Sequence, residues 1–200
     1  MVRLLGVRKS SAALGLGLLA ASLGVLGAGS SGPAAPRYEV SAPLLATGGL
    51  VFACFAADPM DPVHACGGIE VRGVDASQIP GGDGYPDLPF SHAMRLVGTW
   101  DGHALTLTEP PQPAAHAPGL PEACSPESGS PPELDSIPLQ REVSEALRTR
   151  GVEVLMSMGC DSETVGVIVP VADEATVSWL ATHYRTVKVT GWLRPLPSGP

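Results

Sequence analysis

The residues of this chain that could do chemistry begin with its four cysteines. Cys54, Cys66, Cys124 and Cys160 allow three disulfide pairings, and none of them forms the Cys-x-x-Cys motif of redox-active sites. We favour Cys54 with Cys66 across a short loop, and Cys124 with Cys160, while other pairings and free thiols stay open. In the loop-entropy description each bridge would contribute ~3 kcal/mol to stability.

Sulfur and imidazole groups at short spacing suggest a soft-metal site as one alternative. His64 lies close to Cys66, and Met156, Met158 and Cys160 share one face of a predicted strand. Thioether, thiolate and imidazole ligands suit Cu(I). The simpler interpretation places both methionines in a hydrophobic core and both cysteines in disulfides. We therefore predict no metal site and no cofactor, and keep copper binding as the third functional hypothesis.

The histidines raise a second alternative, a hydrolase, which needs a nucleophile, a base and an orienting acid. The candidates are Ser91 beside His92, His103 beside Asp101, His116 and His183. None lies in a Gly-x-Ser-x-Gly or His-Glu-x-x-His motif, and the chain has no nucleotide-binding glycine loop. His103 is expected in a solvated turn, and His183 near a helix C-terminus, where a cation is favoured. We assign no catalytic residue; an extracytoplasmic enzyme of unknown reaction is the second hypothesis.

Aromatic side chains offer a binding site instead of a catalytic one. Trp100 and Trp192 lie on predicted strands, close to glycines. Together with Tyr184 or Tyr85 they could line a ligand groove, because a few aromatic side chains often carry most of the energy of an interface. Core or cross-strand packing is the simpler explanation of both tryptophans.

The N-terminus gives these cysteines an oxidising environment, because it predicts export. Arg3, Arg8 and Lys9 precede an uncharged run over 12–29, and small residues and prolines follow. This is the order of a secretory signal peptide. We predict a signal peptide over 1–30, cleaved at about 28–36, and a secreted or cell-envelope location. A retained membrane anchor is the alternative.

The net charge of the chain limits the classes of partner that it can bind. It has 12 Lys and Arg against 20 Asp and Glu, a net charge of −8, and the predicted leader removes three cations and no acid. Nucleic acid and anionic lipid both require clustered Lys and Arg. We therefore expect neither as a partner, and membrane contact only through an uncleaved N-terminal segment. A partner protein or a small ligand remains.

The sequence pattern predicts an α+β fold, with a mainly antiparallel sheet, that positions these residues. Residues 31–43 are interpreted as a flexible tether and 44–197 as a single domain. Strands are expected over 48–55 and 68–74. A β-hairpin is expected at 94–109, with Asp101 and Gly102 as the central residues of a type I′ turn.

The C-terminal third has the more regular pattern. It predicts two short helices, at about 138–150 and 174–184, with Gly151 ending the first and Asp173 capping the second. Strands are expected over 152–158, 165–171 and 187–193. Before the first helix lies a long Pro-rich loop, 109–138, and a loop of this length suggests a staple through Cys124.

Four short segments carry a resemblance. They are Ala-Cys-Gly-Gly-Ile-Glu-Val at 65–71, Val-Gly-Thr-Trp-Asp-Gly at 97–102, Leu-Thr-Leu-Thr-Glu-Pro at 105–110 and Val-Thr-Gly-Trp-Leu-Arg-Pro at 189–195. In these segments the chain resembles a group of uncharacterised exported proteins of actinobacteria. The resemblance implies export and a single domain, and it supplies no catalytic residue. The leading hypothesis is a non-enzymatic envelope or secreted protein that binds a partner protein or a small ligand.

Overall fold

The computed structural model describes residues 35–56, 66–79, 90–115, 121–124, 136–161 and 163–197. They form a sheet of seven strands, a sheet of three strands and two α-helices. The larger sheet contains β1 (Arg37–Thr47), β2 (Leu50–Ala56), β3 (Gly67–Arg72), β4 (Phe90–Trp100), β5 (Ala104–Leu107), β6 (Gln112–Pro113) and β10 (Arg194–Pro195). The remaining elements, here called the sheet–helix layer, are α1 (Ile137–Thr149), β7 (Met156–Gly159), β8 (Val165–Val169), α2 (Glu174–His183) and β9 (Val187–Gly191). The predicted α+β class, with mainly antiparallel pairing and late helices, is confirmed.

The larger sheet closes on itself. β1 pairs with β2, β2 with β3, and β4 with both β5 and β1, all antiparallel, whereas β3 and β5 run parallel. The ring β1-β2-β3-β5-β4 therefore returns to β1 and forms a barrel, to which β6 and β10 add short pairings. A five-stranded Greek-key barrel is the architecture of OB folds.

β1 joins the two sides of the barrel, and this strand corrects one prediction. It pairs with β4 over 37–45 and with β2 over 44–47, with a register shift between Pro43 and Leu45. The predicted tether is therefore wrong for residues 37–43, while 31–34 lie outside the described residues. The prolines suggested a tether, but a proline at an irregularity costs the sheet no regular hydrogen bond.

Alternation along the strands fills the barrel. Inward positions are apolar and buried, and they come from all five strands of the ring. They include Val40, Ala42 and Leu44 of β1, Val51, Ala53 and Phe55 of β2, Ile69 and Val71 of β3, Leu96 of β4 and Leu105 of β5. The barrel is thus a packed core rather than a channel.

Two tight turns join neighbouring barrel strands. Gly48 and Gly49, with φ of +59° and +80°, connect β1 to β2 as a type I′ turn requires, where the sequence predicted the start of a strand. The predicted hairpin at 94–109 forms, but its central residues are Gly102 and His103. Asp101 precedes them, and its carboxylate accepts the backbone N–H groups of His103 at 2.9 Å and Ala104 at 2.8 Å.

In the sheet–helix layer, β8 is the central strand and all of its residues are buried. It runs antiparallel to β7 and parallel to β9. Its three valines pack in one cluster with the helices, whereas Ile168 belongs to the barrel core. The helix-side cluster consists of Val143, Leu147, Val165, Val167, Val169 and Leu180. One strand therefore separates two hydrophobic cores and contributes to both.

Two disulfides add covalent links to the fold, the first of them between two strands that already pair. Cys54 on β2 is bonded to Cys66 before β3, and Cys124 is bonded to Cys160 at the end of β7. This is the pairing that the sequence favours. Inside the predicted loop 109–138, β6 pairs with β4, and Cys124 lies against Gly166 of β8.

The outer edge of β7 is covered by a side chain. In the orientation that satisfies all of its hydrogen bonds, the Gln140 amide donates to the Ser157 carbonyl at 3.2 Å. Its oxygen accepts the Gly159 N–H at 3.1 Å and the Ser136 hydroxyl at 2.8 Å. α1 therefore supplies the hydrogen bonds that a further strand would make at this edge.

Candidate binding cleft

A cleft of about 280 Å³ lies between the barrel and the sheet–helix layer. Its barrel side is formed by Tyr38 of β1, by Trp100 at the end of β4 and by the following turn at Gly102. Its other side is formed by the segment after α1 and by the connection from β8 into α2. Those residues are Gly151, Val152, Glu153, Pro170, Val171, Asp173 and Thr176.

The end of α1 brings Glu153 to this cleft. Gly151 has φ of +77°, its N–H bonds the Arg148 carbonyl at 2.9 Å, and the Val152 N–H bonds the Leu147 carbonyl at 3.0 Å. This is a Schellman motif, which ends the helix and reverses the chain. The predicted helix stop at Gly151 is therefore confirmed, but the strand predicted from residue 152 begins only at Met156. The intervening residues line the cleft instead.

The start of α2 supplies the second carboxylate. Asp173 caps the helix as predicted, because its Oδ1 accepts the Thr176 N–H at 2.7 Å. The cap fixes Asp173 at the cleft wall. Thr176, one turn into the helix, is buried there.

The electrostatics of the cleft are one-sided. Glu153 and Asp173 line it, and no Lys, Arg or His is among its lining residues in the described part of the chain. Partial burial against the cleft walls raises the pKa of Glu153, while the nearby His103 acts in the opposite direction. Within the described residues, the Glu153 carboxylate has no hydrogen bond or salt bridge. The Glu153 side chain is exposed, and a carboxylate at a cleft lined by two aromatic rings is suited to a cation.

A second hollow of about 330 Å³ adjoins the cleft and shares Tyr38, Val171 and Asp173 with it. Its other lining residues are Ala172, Gly191, Leu193, Arg194 and Pro195. Arg194 gives this hollow the basic group that the cleft lacks. The two spaces therefore differ in charge although they share a wall.

The predicted aromatic groove does not form. Trp100 lines the cleft, but Trp192 is buried in the barrel core, where its ring meets Phe55 edge-on at a centroid distance of 5.4 Å. Tyr184 lies with the helices, 5.8 Å from Trp179 between ring centroids. Burial and Glu142 of α1 raise the pKa of Tyr184. The three aromatic residues therefore lie in three different environments, and Trp192 is part of the core rather than of the surface.

The residues considered for metal binding have other roles. Cys66 and Cys160 are in disulfides, and Met156 and Met158 pack against the barrel core. His64 lies outside the described residues. No group of three or more His, Cys, Asp or Glu able to hold a metal is found in the described segments.

The histidines considered for catalysis are spread over the fold. His92 lies at the start of β4, His103 in the turn after the far end of that strand, and His183 at the end of α2. The His183 Nδ1 lies 2.9 Å from the Trp179 carbonyl, and the two rings stack with a centroid distance of 4.7 Å. His116, like Tyr85, is outside the described residues. The described histidines therefore do not share a site.

Sequence reasoning found Trp100 but missed the residues around it. Tyr38 falls in the predicted tether, Glu153 in a predicted strand, and Asp173 was assigned only as a helix cap. A signal existed for Glu153, because an acid two residues after a glycine helix stop lies where the chain reverses. For Tyr38 the useful signal was the alternation of Val40 and Ala42 beyond it.

In OB folds, ligands bind at the face of strands 2 and 3 and at the loops that follow strands 1 and 4. Here both loops are two-residue turns. Arg72 of β3 is paired with Glu70 at 2.7 Å and with Asp101 at 3.0 Å. At the corresponding surface of this barrel the loops are short and the cation is neutralised, so the cleft is the better candidate for a binding site.

Comparisons with models of protein families, with curated proteins and with solved structures found no match to this chain. Among the described residues, no helix is both long and apolar enough to cross a bilayer.

Proposed function

We propose that this protein is an exported, non-enzymatic binding protein, and that the cleft between its barrel and its sheet–helix layer binds the cationic group of a small ligand. The observation that carries the proposal is Glu153, a carboxylate that makes no hydrogen bond or salt bridge in the described residues and lines a cleft together with Tyr38 and Trp100. Asp173 adds a second negative charge. Aromatic faces and carboxylates together are the usual surroundings of bound ammonium and guanidinium groups.

Two observations support an extracytoplasmic location. Both disulfides suit an oxidising environment, since cytosolic thiols are normally kept reduced. The charged and apolar order of residues 1–30 and the resemblance to exported proteins point in the same direction. The first 34 residues lie outside the described part of the chain.

Attraction between the Glu153 carboxylate and a cationic group gives the proposed binding its driving force. A raised pKa means that the cleft disfavours the ionised carboxylate, and an incoming cation relieves this penalty. Cation binding should therefore lower the pKa of Glu153 and release a proton near that pKa. Affinity should fall as the pH drops through the raised pKa, because the protonated carboxyl no longer attracts a cation.

The test is calorimetric titration of the full-length, disulfide-bonded protein with n-alkylamines, and with n-alkanols of the same length as neutral controls. We expect the amines to bind and the alkanols to bind at least about tenfold more weakly, as for a charge-assisted hydrogen bond. Glu153→Gln keeps the shape of the side chain and should abolish the preference. Trp100→Leu should weaken amine binding by removing a ring face.

The matched control is Glu163→Gln, which makes the same charge change at an exposed position in the turn between β7 and β8. It should leave amine binding unchanged. Equal binding of amines and alkanols, or amine binding that survives Glu153→Gln, would contradict the proposal. Loss of amine binding in the control as well would show a general charge effect and reject the cleft.

A further inference from the structure

The hollow beside the cleft extends the proposed site. The two spaces have Tyr38, Val171 and Asp173 in common, so they lie next to each other and the ends of one elongated molecule could reach both. Volumes of about 280 and 330 Å³ each fit a small group rather than a folded partner. Beyond the shared wall the lining is mostly apolar, with Leu193 and Pro195 close to Arg194.

Arg194 is the charged group that distinguishes the hollow. It is exposed and lies on β10, directly across from Glu39 of β1. The Glu39 carboxylate is held by Arg95, at 2.9 Å, so its charge is already balanced. Arg194 makes no salt bridge within the described residues. Its guanidinium therefore keeps its hydrogen-bonding capacity for an anion, and a carboxylate matches its planar donor set.

We propose that the ligand is a small zwitterion, whose cationic group lies between Glu153 and Asp173 and whose carboxylate lies at Arg194. This inference rests on the proposed function and adds the second charged group of the ligand. The arrangement selects by charge order: a molecule of the same length with only one of the two groups satisfies one end and leaves the other without a partner. The chain between the two groups passes along Tyr38 and Val171.

The experiment compares ω-amino acids of graded chain length with n-alkylamines of equal length, again by titration of the full-length, disulfide-bonded protein. We expect one length of ω-amino acid to bind about tenfold more tightly than its alkylamine, because it adds a charge-assisted contact. Arg194→Gln should reduce the ω-amino acid to the affinity of the alkylamine and should not weaken alkylamine binding. Arg185→Gln, at an exposed position after α2, is the matched control and should keep the preference.

The outcomes separate this inference from the function on which it rests. If alkylamines bind but a carboxylate adds nothing at any length, or if the gain survives Arg194→Gln, the zwitterion assignment is overturned and the cation site stands. If alkylamines do not bind, the proposed function fails first. A peptide with a C-terminal lysine presents both charges on a longer chain; tighter binding of that peptide than of every free ω-amino acid would overturn the assignment to a small molecule.

Discussion

The barrel and the sheet–helix layer are held together by different kinds of contact. In the barrel, paired strands approach each other closely through their backbones: Gly98 of β4 lies so near the Thr106 carbonyl of β5 that a Cβ would overlap it. In the layer, the corresponding glycine, Gly159, lies against the side chain of Ser136. A side chain can rotate and a paired backbone cannot. Gly98 in the barrel should therefore tolerate an added methyl group less well than Gly159 in the layer.

Removal of the disulfides should cause the largest losses of stability in the two regions. Replacing Cys124 and Cys160 by alanine should lower the free energy of unfolding by about 4 kcal/mol, and replacing Cys54 and Cys66 by about 3 kcal/mol. The order follows from sequence separations of 36 and 12 residues. Guanidinium denaturation under non-reducing conditions measures both. If removal of the Cys54–Cys66 bridge lowered the free energy of unfolding more than removal of the Cys124–Cys160 bridge, the expected order would be wrong.

The two glycines test the comparison directly. Gly98→Ala should lower the free energy of unfolding by about 3 kcal/mol, and Gly159→Ala by about 1 kcal/mol or less. Adding Ser136→Ala should restore part of the loss at Gly159, because it removes the oxygen that the new methyl group meets. Adding Thr106→Ala should not restore Gly98→Ala, because the obstacle there is a backbone carbonyl. Rescue in the barrel but not in the layer would show that our distinction is wrong.

The smallest expected effects come from two turn carboxylates, one in each region. Asp101 precedes the β4–β5 turn, and Asp161 lies in the β7–β8 turn, where it accepts the Glu163 and Thr164 N–H groups at 2.9 and 2.6 Å. Backbone hydrogen bonds lower the pKa of both carboxyl groups. Their stabilising contribution is thus complete above the pKa in the unfolded chain and is lost as the pH falls through the lower pKa of the fold.

Asp101→Asn and Asp161→Asn should each lower the Tm slightly at neutral pH, and both differences should vanish in acid. The asparagine keeps an acceptor oxygen and removes only the charge. Thermal unfolding across this pH range provides the measurement. If either difference persists below the pKa of the folded state, the turn depends on the shape of the side chain rather than on its charge.

The sheet–helix layer could be predicted because its signals are local. Gly151 ends α1, Asp173 starts α2, and the apolar spacing of α1 marks the face that meets β8. In α2 the same reasoning works only for Leu180, because Val177 is exposed. The ends of the strands were less accurate, since residues 152–155 have strand-forming side chains but follow a Schellman motif. Their conformation is decided by the helix before them.

Prediction of the barrel and the cleft requires information that no short window of sequence contains. β1 was hidden by Pro36 and Pro43, and its main partner, β4, lies some fifty residues further along the chain. The cleft lies where the two regions meet, so its residues belong to four separate segments. Trp192 illustrates the same limit: its spacing permits either a groove or a core, and only its contact with Phe55 decides between them.

The Gln140 amide at the edge of β7 has a consequence for association between molecules. An open strand edge is a template on which a strand from another copy can add and begin an ordered aggregate. Here the outward carbonyl of Ser157 and the outward N–H of Gly159 are already bonded by one side chain. Growth of the three-stranded sheet past β7 would first have to displace Gln140, so a helix residue protects the folded protein against polymerisation at that edge.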